Sequence, residues 1–499
     1  MLFHSAEFLI GFLPVVFCGY LLLAHFHCYR SALVWLTAAS LVFYAWWNPV
    51  YLWLIAGSIL GNFAIGRLIT TQPAPWRNWC FLAGISLNLL ALGYFKYANF
   101  FVANLNHFLH LNWNFEKVIL PLAVSFFTFT QIAYLVDSFR GETKRYGLLE
   151  YSFFVTFFPH LIAGPIVLHK EIMPQVEREG VFRFAWSNLQ VGLGIFVIGL
   201  FKKVVLADGC AEYVTPFFEV AKNGYWVSTP EAWCGVLAYT FQLYFDFSGY
   251  SDMAIGISRV FGILLPLNFD SPYRATNIID FWRRWHISLS RFLRNYLYIP
   301  LGGNRRGIVL KYSNLFITML IGGLWHGAGW TFVIWGGLHG LYLVINHGFK
   351  ALSTMWNPGR FVPKPVGRLF GWSLTMLAVI VGWVFFRSAN VETAGRIISM
   401  MTGLHDHPVT YVFQLTPNEV TIRFFWIVAL AAIALALPNT QQYFGNFQPA
   451  LDAREPLPGR WRFVWKPNFL HGAIMGVFIF MIARRLFQLA PSDFLYFNF

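Results

Sequence analysis

The sequence predicts an all-α protein that crosses a lipid bilayer many times. Hydrophobic residues make up 57% of the 499-residue chain and charged residues only 12%, whereas an ordinary soluble domain has about 25% charged residues. Aromatic residues alone account for 19% of the chain, and aromatic rings are enriched where a protein meets lipid headgroups. A soluble protein of this composition would lack the polar surface needed to cover itself, so the composition excludes that class.

Apolar stretches long enough to span a membrane recur along the whole chain. A spanning helix needs about 20 mainly apolar residues, and the pattern predicts about 11–12 transmembrane helices. The chain begins without Lys or Arg before its first apolar stretch, so we expect that stretch to be retained rather than cleaved as a signal peptide. The predicted spans lie near residues 8–28, 32–48, 50–66, 79–95, 118–138, 188–201, 233–250, 312–328, 331–346, 369–386, 421–438 and 468–483.

Two further apolar stretches, 151–168 and 286–300, are interrupted by Pro, Gly or Arg. Irregular backbone at membrane depth is tolerated only where it is buried in protein or lines a wet cavity. We therefore expect both stretches to be re-entrant or interfacial. Because no internal repeat or long polar linker is present, the sequence predicts a single membrane domain over residues 1–499.

The net charge of +14 comes from basic residues that cluster in short breaks between the apolar stretches. In a soluble protein such clusters would suggest nucleic-acid binding. In a membrane protein they follow the positive-inside rule, which holds Lys-rich and Arg-rich loops in the cytoplasm. We therefore expect a lipid bilayer and no nucleic acid as partner, with the N-terminus outside; Arg484 and Arg485 after the last span leave the side of the C-terminus open.

The most basic break, 268–311, is predicted to be a cytoplasmic segment. If residues 281–296 form a helix, with about 100° between successive side chains, one face of it is basic and the opposite face is aromatic. One interpretation is a topology anchor that binds anionic lipid; the other is that its arginines also attract an anionic cytoplasmic donor such as a coenzyme A thioester. Trp285 lies on the aromatic face and His286 at its edge. The arginines of the basic face are Arg283, Arg284, Arg291 and Arg294.

His326 lies deep in an apolar stretch, in the run GGLWHG at 322–327. It follows Lys311 by 15 residues, which along a helix places it about 22 Å from the basic segment. Ionisable residues at such depth are rare and are functional candidates. The alternative is a structural histidine that bonds to a neighbouring helix, and the nearby His339 and His347 show that a histidine in this region need not be catalytic.

Two other stretches, 157–165 with His160 and 244–252 with Asp246 and Ser248, are interpreted as irregular backbone that lines a cavity. The structural alternative for each is a set of caps and hydrogen bonds that satisfy freed backbone groups. The sequence contains no P-loop, no H-E-x-x-H and no dinucleotide-binding turn. Its five cysteines include no C-x-x-C pair. We therefore expect no metal site and no bound cofactor.

Long motifs of this chain resemble the membrane-bound O-acyltransferase family, and within it the bacterial branch of alginate O-acetyltransferases. The resemblance covers nearly the whole chain. The motifs that carry it are LGYFKYAN at 92–99, FFPHLIAGP at 157–165, QLYFDFSGYSDMAIG at 242–256, DFWRRWHISLS at 280–290, YLYIPLGGNRRG at 296–307 and GGLWHG at 322–327.

The resemblance implies a ring of tilted helices around a central funnel in the bacterial inner membrane. It implies that His326 is the catalytic residue and that His286, the second family histidine, lines the cytoplasmic mouth. The expected donor is cytoplasmic acetyl-CoA, and the expected partners are periplasmic acetyltransferases that modify an exopolysaccharide such as alginate. Candidates to line the funnel and bind the donor are Arg283, Arg284, Trp285, Trp325, Asp246 and Ser248.

The residues themselves are compatible with acyl transfer, because a hydroxyl is a poor nucleophile until a base takes its proton. A nearby imidazole can do this and contributes about 10²–10⁴-fold, and a buried site excludes the water that would hydrolyse the thioester. Cellulose, a cell-wall polymer and a carrier-bound D-alanyl donor remain alternatives within this chemistry. A transporter with broken helices or a scaffold for polysaccharide export remain alternatives outside it.

Overall fold

The computed structural model describes residues 1–178, 180–305, 307–356, 363–405, 407–409, 417–452, 464–488 and 495. Arg306, one of the predicted basic residues, lies outside these ranges. Over the described residues the secondary structure is helical and contains no strand. The prediction of an all-α protein is therefore confirmed.

Helices α1 to α10 form the N-terminal part of the chain: α1 (Leu13–His25), α2 (Tyr29–Ala45), α3 (Leu52–Thr71), α4 (Trp76–Leu92), α5 (Ala98–Leu109), α6 (Val124–Arg140), α7 (Leu148–Thr156), α8 (Phe158–Leu161), α9 (His169–Val176) and α10 (Trp186–Phe201). The following helices are α11 (Asp208–Lys222), α12 (Thr229–Val260), α13 (Ile278–Trp282), α14 (Ile287–Leu293), α15 (Ile308–His326), α16 (Trp330–Trp356), α17 (Lys364–Arg387), α18 (Val391–Thr402), α19 (Pro417–Ala436), α20 (Thr440–Tyr443) and α21 (Phe469–Gln488).

Seven helical segments among the described residues are long and apolar enough to cross a membrane, which confirms a multi-pass membrane protein. Some exceed the predicted spans, because π-helical turns join consecutive helices without a break, as between α4 and α5. The shorter apolar segment Thr421–Ala436 falls below this length. The ring of helices around a funnel stays a prediction. The seven segments are Glu7–His25, Pro49–Thr71, Trp76–Leu109, Trp186–Lys222, Ile308–His326, Lys364–Arg387 and Phe469–Gln488.

The predicted span at 118–138 starts later than the apolar pattern suggests. Helix α6 begins at Val124, after Pro121 and after Ala123, which has a left-handed φ of 61°. A proline has no backbone N–H and restricts the residue before it. The apolar residues before Pro121 therefore lie outside the helix.

The chain divides into two compact units, which are described separately. The prediction of one domain for the whole chain stays a prediction. Helix α12 contributes its N-terminal part to the second unit and its C-terminal part to the first. The first unit consists of Met1–Phe201, Gly249–Leu267 and Thr440–Asn498, and the second mainly of Lys202–Ser248 and Asn268–Asn439.

In the first unit, small residues bring two helices close together. A Cβ added to Gly192 of α10 would lie 2.6 Å from the carbonyl oxygen of Gly256 on α12, and a Cβ added to Gly256 would lie 2.5 Å from that of Gly192. Without a hydrophobic driving force between helices in lipid, such close backbone approach is a main source of packing energy. The two glycines therefore fix this crossing.

In the second unit, α15 and α16 form an antiparallel hairpin that depends on the same kind of contact. A Cβ on Gly336 would lie 2.5 Å from the carbonyl oxygen of Met319 and 3.2 Å from the Cα of Gly323. A Cβ on Gly323 would in turn lie 3.0 Å from the Cα of Gly336. These neighbours are backbone atoms, which cannot rotate away. The hairpin therefore requires glycine at both positions.

We predict that Gly336→Ala destabilises the protein, because its methyl group must push two helix backbones apart. Overpacking of this kind costs about 1–3 kcal/mol. The control is Gly337→Ala, where the added Cβ meets only side-chain atoms at 3.6 Å and beyond, so that alanine should be neutral or stabilise the helix by up to about 1 kcal/mol. Thermal unfolding in detergent, followed by size-exclusion chromatography, measures both. Equal unfolding temperatures for the two variants would contradict the packing argument.

Candidate active site

The predicted continuous helix over 281–296 is wrong, because the chain breaks before His286. Helix α13 ends at Trp282 and α14 begins at Ile287, while His286 adopts a left-handed conformation with φ 42° and ψ 55°. Two backbone hydrogen bonds hold this break: the Ile287 N–H donates to the Asn268 carbonyl and the Asp270 N–H donates to the Arg284 carbonyl, both at 3.0 Å. A left-handed residue other than glycine is uncommon and persists where its surroundings over-determine it.

The break turns the His286 side chain into the interior of the second unit. The ring is completely buried, its Nδ1 lies 3.0 Å from Oδ1 of Asn268, and Phe247 contacts it edge-on with ring centroids 4.8 Å apart. Burial lowers the pKa of His286 because the charged imidazolium is poorly solvated there. The imidazole is therefore neutral at physiological pH.

His326 is the last residue of α15, which ends because Gly327 adopts an extended conformation. Its buried ring packs against Trp335 and Phe386, with centroid distances of 5.0 and 5.2 Å. Helix α15 is continuous from Lys311 to His326. The spacing of about 22 Å expected between them therefore holds along a regular helix.

The structure brings the two predicted catalytic histidines together. The ring centroids of His286 and His326 are 6.3 Å apart, although 40 residues separate them in the sequence. Trp325, a predicted funnel residue, is buried and contacts both rings, with centroid distances of 6.1 Å to His286 and 5.0 Å to His326. These three side chains form a buried cluster, which we call the histidine cluster.

A large cavity opens beside the same helix. Its volume is about 860 Å³, within the range of about 300–1,000 Å³ typical of small-molecule sites. Leu315, Thr318 and Met319 of α15 line it, and with a repeat of about 3.6 residues His326 continues the same face of the helix. Its basic lining side chains, which define what we call the basic cavity, are Arg283, Arg294, Arg305 and Lys311.

Arg284 and Trp285, both candidates to line the funnel or bind the donor, each pack against neighbouring side chains of the second unit. The Arg284 Nε lies 3.0 Å from each carboxylate oxygen of Asp280, so this arginine is already paired. Trp285 is buried and packs against Phe281 and Trp383, with centroid distances of 5.7 and 4.8 Å. Of the two adjacent arginines, Arg283 is the one that lines the basic cavity.

Asp246 and Ser248 do not lie on irregular backbone, so the prediction for 244–252 is wrong. The stretch is part of the regular helix α12. The Asp246 carboxylate forms a buried ion pair with Lys203 at 2.7 Å, and Lys203 also pairs with Asp208 at 2.9 Å. Ser248 is buried. Because a buried charge is tolerated only when paired, the ion pair with Lys203 accounts for the burial of Asp246, and its predicted place in the funnel stays a prediction.

The stretch 157–165 does break, as predicted, but the space beside it is small. The Phe158 N–H at the start of α8 donates to the Ser40 hydroxyl at 3.0 Å, which satisfies one freed backbone group. The cavity that His160 lines has a volume of about 10 Å³, room for a single water molecule at most. This agrees with the structural alternative rather than with a substrate path.

Sequence reasoning missed two polar residues that the structure places in the second unit. Lys203 interrupts the apolar stretch after residue 188, and an ionisable residue inside such a stretch is itself a signal. Asn268 follows the apolar residues 263–267, and its amide contacts His286. The sequence marked Asn268 only as a polar residue among apolar ones.

Comparison with known proteins gives a consistent set of matches. The family model of the MBOAT, membrane-bound O-acyltransferase family, matches residues 87–381. The chain is 44% identical over 434 residues to the peptidoglycan O-acetyltransferase of Helicobacter pylori, covering 81% of this chain and 80% of that protein. It is 39% identical over 513 residues to the probable alginate O-acetylase AlgI of Pseudomonas putida, covering 100% of both.

A more distant match is the teichoic acid D-alanyltransferase of Streptococcus thermophilus, at 30% identity over 254 residues. This match covers 48% of the chain and 60% of that protein. The whole histidine cluster, at residues 286, 325 and 326, lies inside the region that the family model covers. The catalytic roles of the individual residues stay predictions.

We predict that Asp246→Asn lowers the stability of the folded protein, because it leaves the buried Lys203 without its nearest carboxylate. Removing one partner of a buried pair costs about 3–5 kcal/mol. The control is Asp208→Asn. The Asp208 side chain is 14% exposed, against 1% for Asp246, so the loss of its charge should destabilise the protein less. Yield of monodisperse protein and unfolding temperature measure both effects. A stable Asp246→Asn protein with an altered KM for the donor would instead place Asp246 in the donor site.

Proposed function

The chain belongs to the membrane-bound O-acyltransferase family, and from that premise we propose that it takes an acetyl group from cytoplasmic acetyl-CoA and passes it across the bacterial inner membrane for O-acetylation of a polysaccharide. The enzyme class, acyltransferase, follows from the family and from the relatives at 39–44% identity. The scaffold and transporter alternatives accordingly lose their support. The donor, the direction and the location are the proposal.

The observation that carries the proposal is the histidine cluster at the C-terminal end of α15. His326 accepts the proton of the acyl acceptor, and the acceptor oxygen then attacks the thioester carbonyl. As the new C–O bond forms, the C–S bond breaks and the coenzyme A thiolate leaves and takes up a proton. His286, 6.3 Å from His326 between ring centroids, stands close enough to position the thioester or to relay that proton. Both rings are buried, which keeps water from hydrolysing the thioester.

The basic cavity supports coenzyme A as the carrier of the acetyl group. Cationic side chains complement the phosphates of a nucleotide, and arginine does so with bidentate geometry. Between the cavity and His326, Gly322 lies on the same face of α15, and the side chain of Leu293, which also lines the cavity, packs closely over it: a Cβ there would meet Cδ1 of Leu293 at 3.1 Å. A donor held by its phosphates at Arg283 and Arg294 would extend its uncharged arm along α15 towards His326, with the flexible side chain of Leu293 moving aside.

The relatives suggest the class of final acceptor. By their names, the Pseudomonas putida relative acts on alginate, and the Helicobacter pylori relative, which is more similar to this chain, acts on peptidoglycan. We propose an exopolysaccharide such as alginate as the polymer, reached through periplasmic acetyltransferase partners, with a cell-wall polymer as the second candidate because of the Helicobacter match. The D-alanyl alternative is less well supported, since that relative matches only about half of the chain.

We predict that His326→Ala reduces acetyl transfer by about 10²-fold or more, because the acceptor loses its general base. The matched control is His471→Ala, which removes another buried histidine, one that bonds to Asn468 at 2.7 Å in the first unit. Release of coenzyme A from labelled acetyl-CoA is measured in nanodiscs, with membrane extract supplying acceptors. Near-normal turnover by a folded His326→Ala protein would remove His326 from the mechanism.

We predict that the double variant Arg283→Gln/Arg294→Gln raises KM for acetyl-CoA about 10-fold, equivalent to about 1.4 kcal/mol, with little change in kcat. Its KM should also depend less on salt than that of the wild type, because the screened attraction is already gone. Arg67→Gln/Arg145→Gln removes the same charge from two exposed arginines of the first unit and should leave KM unchanged. An equal rise in both double variants would indicate a general charge effect instead of a binding site.

A further inference from the structure

We infer that Asn268 is the positioning residue that fixes the tautomer of His286, with the proton on Nδ1 and the accepting lone pair on Nε2. This assignment rests on the proposed function for its role in acyl transfer. The tautomer itself is a property of the folded protein. It can therefore be tested without turnover.

The contacts of one atom determine the assignment. Oδ1 of Asn268 lies 3.0 Å from His286 Nδ1 and also accepts from the hydroxyl of Ser288 at 2.9 Å and from the backbone N–H of Ser288 at 3.4 Å. A backbone N–H can only donate, so the atom it reaches is the amide oxygen and not the amide nitrogen. Because this amide oxygen carries no hydrogen, a group that forms a hydrogen bond with it must be the donor. His286 Nδ1 therefore carries the proton.

A neutral imidazole has one N–H, so the other nitrogen is an acceptor. Burial favours the neutral ring of His286, because the charged form is poorly solvated. Nδ1 as the donor then leaves Nε2 as the nitrogen that accepts a proton or a hydrogen bond. Without the Asn268 oxygen, the two neutral tautomers would compete, and a fraction of the molecules would present an N–H on Nε2, where the proposed proton relay needs a lone pair.

Asn268 also holds the backbone that carries His286. Its carbonyl accepts the Ile287 N–H at 3.0 Å, and both Asn268 and His286 are 0% exposed. Side chain and main chain of one residue thus fix the left-handed turn and the ring orientation together. Such outer partners of reactive histidines determine which nitrogen is available.

The groups described in contact with the His286 ring come from three elements. Phe247 of α12, Trp325 and His326 of α15, and Asn268 of the segment before α13 pack against it. Of these, His326 is the titratable one. Two charged residues close in sequence to Asn268 and His286, Asp270 and Arg284, pair with each other at 3.8 Å. A new charge at position 268 would therefore act on His286 directly.

The first arm of the test is spectroscopic. Protein labelled with ¹⁵N-histidine is placed in nanodiscs, and His286→Gln identifies the His286 signals. We expect the wild type at neutral pH to show a protonated Nδ1 and an unprotonated Nε2. Asn268→Leu should shift His286 to a mixture or to the opposite tautomer, whereas Ser288→Ala, which removes another donor from the same oxygen, should leave the tautomer unchanged.

The second arm is kinetic and compares two replacements of Asn268. Asn268→Leu should lower kcat about 10-fold or more with little change in KM, because the reactive tautomer is depleted while the donor still binds. Asn268→Asp keeps an accepting oxygen and should retain activity at high pH. Its carboxylate favours the imidazolium, which raises the pKa of His286 and moves the acidic limb of the kcat–pH profile upward by about 1 unit or more.

Each arm has an outcome that overturns the inference. A wild-type His286 protonated on Nε2, or an unchanged tautomer in Asn268→Leu, rules out the assignment. Identical pH profiles for the wild type and the near-isosteric Asn268→Asp rule out the coupling even if Asn268→Leu fails to fold. If the wild type shows the expected tautomer but never releases coenzyme A from acetyl-CoA, the proposed donor is wrong and the assignment of Asn268 stands.

Discussion

The backbone contact between α15 and α16 at Gly323 and Gly336 is the constraint on which the arrangement of the second unit depends. Gly323 lies three residues before His326, and Gly336 lies one residue after Trp335. The Trp335 ring packs on the His326 ring at a centroid distance of 5.0 Å. A larger side chain at either glycine would separate the helices and with them these two rings. Packing in a membrane has no hydrophobic drive between helices. The position of His326 therefore depends on the absence of a side chain at Gly323 and Gly336.

The sequence was sufficient to predict which residues are unusual but not how they pair. The depth of His326 follows from counting along one helix, and the composition alone indicates the membrane class. The break at His286 could not be predicted from periodicity, because the bonds that stabilise it come from Asn268, 18 residues earlier. The ion pair between Lys203 and Asp246 is likewise non-local. Its two partners were each visible as a charge in an apolar stretch, yet nothing local joins them.

The same break explains why two adjacent arginines have different surroundings. In a continuous helix, Arg283 and Arg284 would share one basic face, as predicted. Because α13 ends at Trp282, Arg284 instead turns back towards Asp280 and its backbone carbonyl accepts a bond from Asp270. Arg283 is left to line the basic cavity. A single unpredicted turn thus separates a structural cation from a cation available to a ligand.

The proposed function assigns anion recognition and acyl transfer to different places on α15, and electrostatics gives a reason for this separation. Burying phosphate charge beside the histidine cluster would be costly without paired cations and would raise the pKa of the nearby imidazoles, since a negative charge favours their protonated form. Met319, the cavity-lining residue of α15 that is closest in sequence to His326, precedes it by seven residues, a distance of about 10 Å along the helix. A donor suited to this layout carries its charge at one end and its acyl group at the end of an uncharged arm. An acetyl group on a small charged carrier, such as acetyl phosphate, could not satisfy both places at once.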